Sequence, residues 1–168
     1  KKDKIWFFPQ AWNYDDVKNI TSKGIKNFVI DNEKDLQVLL ETIKETNQKI
    51  NLLLRMKFQE HRVGTGKYFV YGMSSSKVNK IIEEIKDNKN IDKLGIHIHR
   101  KSQNTSEWEI LVELKDSLTK ETLERINIVN LGGGLPSEYK SNTSNIFPYI
   151  FEKIKKATEF LKERRQKI

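Results

Sequence analysis

Two short segments carry residue types able to do chemistry. Residues 95–103 read GIHIHRKSQ and residues 130–136 read NLGGGLP. Each is an apolar, β-branched run that ends in polar residues or glycine. A buried parallel strand that delivers a loop at its carboxyl end has this pattern. The first delivers the imidazoles of His97 and His99 and the hydroxyl of Ser102. Two residues apart on a strand, the histidines share one face. The second delivers consecutive glycines, Gly132, Gly133 and Gly134, which can bring backbone N–H groups close to a phosphate. Together these segments point to a phosphorylated cofactor or substrate. Plainer readings stand beside this one. A histidine on a buried strand is commonly a hydrogen-bonded core residue, and a run of glycine can serve only as a tight turn.

Apolar periodicity places the elements that must position these groups. Residues 5–8 (IWFF) form a short strand ended by Pro9. Asn13 caps a helix over Tyr14–Ser22, and Gly24 stops it. Residues 27–30 (NFVI) are a second strand. Asp31 and Asn32 then cap a helix whose Leu36, Leu39, Leu40 and Ile43 share one face. Residues 51–56 (NLLLRM) are a third strand and carry Arg55 near its end. A polar loop runs from Lys57 to about Gly72. Ser74, Ser75 and Ser76 start a helix with Val78, Ile81, Ile82 and Ile85 on its inner face. The fourth strand covers 93–99. Thr105 and Ser106 open a helical region through Trp108, Leu111 and Val112, broken between Asp116 and Thr119. The fifth strand covers 126–131, and a last helix runs from Phe147 to Arg165. Strand–helix alternation means parallel strands covered by helices, an α/β chain. A (β/α) barrel and a doubly wound sheet both satisfy it.

Composition narrows the function classes. A chain of 168 residues is one domain, or part of a larger one, and can bury a real core. The net charge of +8 comes from lysines spread along every helix and mixed with acids. That is a solvated surface rather than a nucleic-acid footprint. There is no cysteine, which removes disulfides and thiolate metal sites. His97 and His99 have no carboxylate at ligand spacing, so no metal site is expected. No apolar run reaches membrane-spanning length and no secretory leader is visible, so a cytoplasmic location is expected.

In chain order, the segments WFFPQAW, VIDNEKDL, NLLLRM, VYGMS, GIHIHRKSQ and VNLGGGLP resemble the pyridoxal-phosphate-dependent decarboxylases of the alanine-racemase fold type. That group includes the diaminopimelate, ornithine and arginine decarboxylases. The match runs over nearly the whole chain, and the pair GIHIHxxSQ and NLGGGLP is its specific part. The resemblance implies a parallel TIM-type barrel, incomplete here at about five of the eight β/α units. It implies pyridoxal 5'-phosphate held at the carboxyl ends of the strands. His99 matches the histidine that stacks on the cofactor ring, and is the catalytic candidate. Ser102 matches a serine near the phosphate, and Gly132, Gly133 and Gly134 match the phosphate loop. Arg55 matches an arginine facing the site, and a salt-bridged barrel residue is the alternative. His97 points to the same side as His99 but lies deeper.

The implied reaction is decarboxylation, through a cofactor Schiff base, of a basic or dibasic amino acid of the diaminopimelate, ornithine, arginine or lysine class. It would serve lysine or polyamine biosynthesis in a cytoplasmic homodimer, with no nucleic-acid or membrane partner. A racemase and a non-catalytic phosphate-binding homologue are the alternatives. The resemblance assigns residues 1–168 to the central part of the barrel. The family's lysine-bearing YAxKAN-like segment, its acidic EPGR-like segment and its C-terminal β-domain are not among these residues. Lys4 lies at the amino end of its strand, away from the chemistry. By itself the chain is not expected to complete a catalytic cycle. After His99 the family's HxGS-type turn is replaced by HRKS, which adds the cations Arg100 and Lys101. Val70 stands where some relatives are basic.

Overall fold

The computed structural model describes residues 1–57, 71–99, 108–133, 135 and 146–165. In chain order the elements are β1 (Trp6–Phe7), α1 (Tyr14–Ser22), β2 (Asn27–Ile30), α2 (Glu33–Glu45), β3 (Ile50–Met56) and α3 (Ser75–Ile85). They continue with β4 (Ile91–Ile98), α4 (Ile110–Ser117), α5 (Lys120–Arg125), β5 (Ile128–Asn130) and α6 (Phe147–Arg165). A short 3₁₀ turn over Lys2–Lys4 precedes β1.

All strand pairs are parallel, and the strands lie side by side in sequence order, β1-β2-β3-β4-β5. This order decides between the two architectures that the alternation allows. A doubly wound sheet reverses direction at a switch point, which puts helices on both faces. Unbroken sequential order with right-handed crossovers keeps every helix on one face and curls the sheet around the other. The chain is therefore an arc of a TIM-type barrel. The rings of Phe8, just past β1, and His97 on β4 meet edge to face, with centroids 5.3 Å apart. On a flat sheet three strand spacings of about 4.8 Å would separate β1 from β4, so this contact requires the curl.

Alternate residues on each strand serve the two faces. Phe28, Ile30, Leu52, Leu54, Ile96 and Ile98 are buried against the helix layer, where they meet Val17, Leu39, Ile43, Val78, Ile82 and Leu114. Each such aliphatic side chain contributes about 1.5–3 kcal/mol by leaving water. The helices start where polar caps place them. Asn13 Oδ1 accepts the Asp16 N–H at 3.1 Å and Asp16 returns the bond to the Asn13 N–H, a reciprocal capping box. Asn32, rather than Asp31, is the cap of α2, and its Oδ1 accepts from Asp35 N–H at 2.8 Å. The expected break appears at Leu118, which is extended, and Thr119 caps α5.

Trp108 precedes α4 instead of lying inside it, and the helix begins at Ile110. Its indole is 2% exposed, so it works as a packing anchor at the helix entry. The openers Thr105 and Ser106 lie outside the described residues. β5 is shorter than expected at both ends, because pairing with β4 covers only Ile128, Val129 and Asn130. At the amino ends of the strands, Asn27 Nδ2 donates to the carbonyls of Asp3 and Ile5, and Asn51 Nδ2 donates to Asn27 Oδ1 at 2.7 Å. These amide bonds satisfy polar groups at the amino ends of the strands.

Candidate functional site

The strand register sorts the inner face into layers. Val29, Leu53, Gly95 and Ile128 form one layer across β2 to β5. A Cβ at Gly95 would lie 1.9 Å from the Ile128 carbonyl oxygen, so only glycine lets β4 and β5 approach this closely. One step toward the carboxyl ends, Arg55, His97 and Asn130 stand in register on β3, β4 and β5. The face thus changes from aliphatic to cationic, imidazole and amide groups within two residues. Beyond this layer come His99 and the glycine turn.

His97 is 5% exposed. Its pKa falls from 6.5 to about 4, first because burial disfavours the charged ring and next because the Arg55 guanidinium is near. The Asn130 amide, across the strand register from the ring, pulls the other way, and His99 adds a small push downward. The ring is therefore neutral at physiological pH. Its Nδ1 is buried with no hydrogen-bond partner among the described residues, and the same holds for Arg55 Nε. Phe8, 48% exposed, closes over the outer edge of the ring. The Tyr71 ring lies 5.5 Å from the Arg55 guanidinium carbon, a cation–π contact at the rim. Among the described residues no acidic group forms a salt bridge with Arg55.

His99 follows β4 and is exposed, with its ring 6.3 Å from that of His97. The glycine turn sits against it. Gly132 has φ +65°, and a Cβ there would lie 2.3 Å from the Ile98 carbonyl oxygen. Conformation and space both demand glycine at this position. A Cβ at Gly133 would lie 4.0 Å from His99 Cε1, so the turn and the exposed imidazole flank one space. The Gly132 N–H is already committed, donating to Asn130 Oδ1 at 2.8 Å. Gly132 therefore shapes the turn rather than offering its own donor. Ser102, Gly134, Arg100, Lys101 and Val70 lie outside the described residues.

Two participants were not singled out from sequence. Asn130 could have been, because an amide two residues before a positive-φ glycine is an Asx-turn signal. Asp35 could not. It is 3% exposed and joins two rim loops. Its Oδ2 accepts from Ala11 N–H at 3.2 Å and from Asn32 Nδ2 at 2.7 Å, and its carbonyl accepts from Trp12 Nε1 at 3.0 Å. Ala11 is held at φ 52°, a conformation alanine rarely adopts.

The groups present fit a flat, phosphorylated, aromatic cofactor. An exposed imidazole offers a face, a tight glycine turn lies beside it, and buried nitrogens on Arg55 and His97 stand ready for polar partners. Among the described residues no cluster could hold a metal ion, and no helix is long and apolar enough to cross a membrane.

Comparison with solved structures agrees on the fold. Lysine decarboxylase from Selenomonas ruminantium matches with a TM-score of 0.67 and 16% identity, over 96% of this chain and 42% of that one. Diaminopimelate decarboxylase from M. jannaschii, in complex with L-lysine, matches with a TM-score of 0.65 and 22% identity, over 94% and 41%. The arginine decarboxylase of Paramecium bursaria Chlorella virus gives 0.61 and 21%, over 92% and 41%. The chain thus spans about two-fifths of the length of these relatives. No curated protein matches it. The sequence pattern described as "Pyridoxal-dependent decarboxylase, pyridoxal binding domain" matches residues 1–168. With that match over its whole length, the chain belongs to the pyridoxal-binding domain family of the pyridoxal-dependent decarboxylases.

Proposed function

We propose that this chain is the cofactor-holding part of a decarboxylase for a basic or dibasic amino acid, of the diaminopimelate, ornithine, arginine or lysine class. The observation that carries the reading is the meeting of His99 with the Gly132–Gly133 turn at the carboxyl ends of β4 and β5. Bound pyridoxal 5'-phosphate supplies an electron sink for the pair released as carbon dioxide leaves. Every other task falls to the protein. The exposed His99 ring would hold the flat face of the cofactor by stacking. The turn from Gly132 onward, with Gly134 and Ser102, would receive the phosphate dianion. The Arg55 guanidinium gives the floor of the site a fixed positive charge and is available to a carboxylate. His97 stays neutral beside it, so the floor adds one cation rather than two. The buried Val29–Leu53 layer keeps water from below. The full-length protein acts, on this reading, as a homodimer.

The test is the absorbance of the full-length protein in its natural reading frame, before and after borohydride. A long-wavelength band that borohydride bleaches marks a cofactor held covalently by an amine, and supports the decarboxylase. No bound chromophore, even after pyridoxal phosphate is added, leaves a non-catalytic homologue.

A further inference from the structure

We propose that Asn130 is a positioning residue whose side chain sets the anion-binding turn against the imidazole pair, and so determines preference for the phosphorylated form of the cofactor. This rests on the cofactor reading above. Asn130 is the last residue of β5 and stands directly opposite His97. Its Oδ1 accepts the Gly132 N–H at 2.8 Å, two residues on, which closes an Asx turn. That bond holds Gly132 at φ +65°, where the backbone passes over the Ile98 carbonyl with no room for a Cβ. From this crossing the chain reaches Gly133 beside His99. The same residue faces the buried His97 directly across the β4–β5 register. Asn130 therefore ties the strand layer that carries His97 to the turn.

The Gly132 N–H is consequently a structural donor, and phosphate recognition depends on the turn that Asn130 holds. The ring-stacking half of the site does not depend on it, because His99 reaches its place along the β4 backbone. Loss of the amide should then penalise the phosphate selectively. A residue that merely supported the sheet would penalise every ligand alike.

The experiment compares pyridoxal 5'-phosphate with pyridoxal, which lacks the phosphate, by absorbance titration of the full-length protein. Wild type is compared with Asn130→Ala and Asn130→Asp. The alanine variant is expected to lose affinity for the phosphorylated form by about tenfold, the value of one hydrogen bond, and to keep its affinity for pyridoxal. The aspartate variant retains an acceptor oxygen and is expected to recover part of the preference. If Asn130→Ala does not fold, Asn130→Ser, a weaker acceptor, decides by the same ratio. An unchanged ratio in the loss variant, or equal weakening of both ligands, overturns the proposal. Failure of wild type itself to prefer the phosphorylated form refutes the cofactor reading, and this inference with it.

Discussion

Acid should weaken this fold through His97, and the size of the effect follows from its surroundings. In the unfolded chain the ring takes up a proton near pH 6.5, whereas in the fold it does so only near 4. Between those values the unfolded state binds the extra proton, so stability falls as pH falls. Above the upper value neither state is protonated and there is no penalty. Below the lower value both are protonated and the full penalty is present. The gap between 6.5 and about 4, at about 1.4 kcal/mol per pH unit, amounts to about 3 kcal/mol. Carboxylates also titrate toward the acid end of this window, so the comparison must be differential. Urea denaturation of the cofactor-free protein is measured from pH 4 to pH 8 for wild type and for His97→Gln, which keeps a polar side chain without a titrating ring. The wild-type minus variant difference should be flat above neutrality and drop by about 3 kcal/mol toward pH 4. Arg55→Gln removes the second cause of the depression and should reduce the drop. A flat difference across the whole range would refute the reasoning, as would a ring whose NMR titration midpoint in the fold lies at 6.5 or above.

Other outcomes follow from the same structure. Gly132→Ala must place a Cβ against the Ile98 carbonyl at positive φ. It is expected to cost about 1–3 kcal/mol, read as weaker cofactor binding in an absorbance titration. Asp35→Ala strands the Ala11 N–H and takes one of two carboxylate acceptors from the Asn32 amide, which keeps Asp31, and should lower stability by about 1–3 kcal/mol in a urea titration. An unaltered midpoint would mean the rim loops hold themselves. Taken alone, the 168-residue chain leaves β1 and β5 as sheet edges among the described residues, with Ile5 and Phe8 exposed beside β1. Such edges invite pairing, so sedimentation should show self-association, and a monodisperse monomer would contradict this.

What sequence determined here was local. Asn13 and Thr119 cap their helices because a side-chain oxygen reaches an N–H within three residues, and no distant part of the chain takes part. The strands carrying Arg55 and His97 were visible as apolar runs, because burial on both faces favours apolar residues up to the point where the site begins. The glycine turn was visible because no other residue tolerates positive φ against a neighbouring carbonyl. Tertiary structure decided what depends on register and curvature. Alternation of strands and helices did not choose between a barrel and a doubly wound sheet, and strand order did. Nothing local predicts that Arg55, His97 and Asn130 fall in one layer, since a shift of one residue between strands would turn them to opposite faces. Phe8 meets His97 only because the sheet curls. Asp35 looked like one more acid on a helix until folding brought the loop of Ala11 to it. Hydrogen-bond reach and period are properties of neighbours in the chain. Which groups share a site is set by long-range pairing, and that becomes definite only when the whole arc is packed.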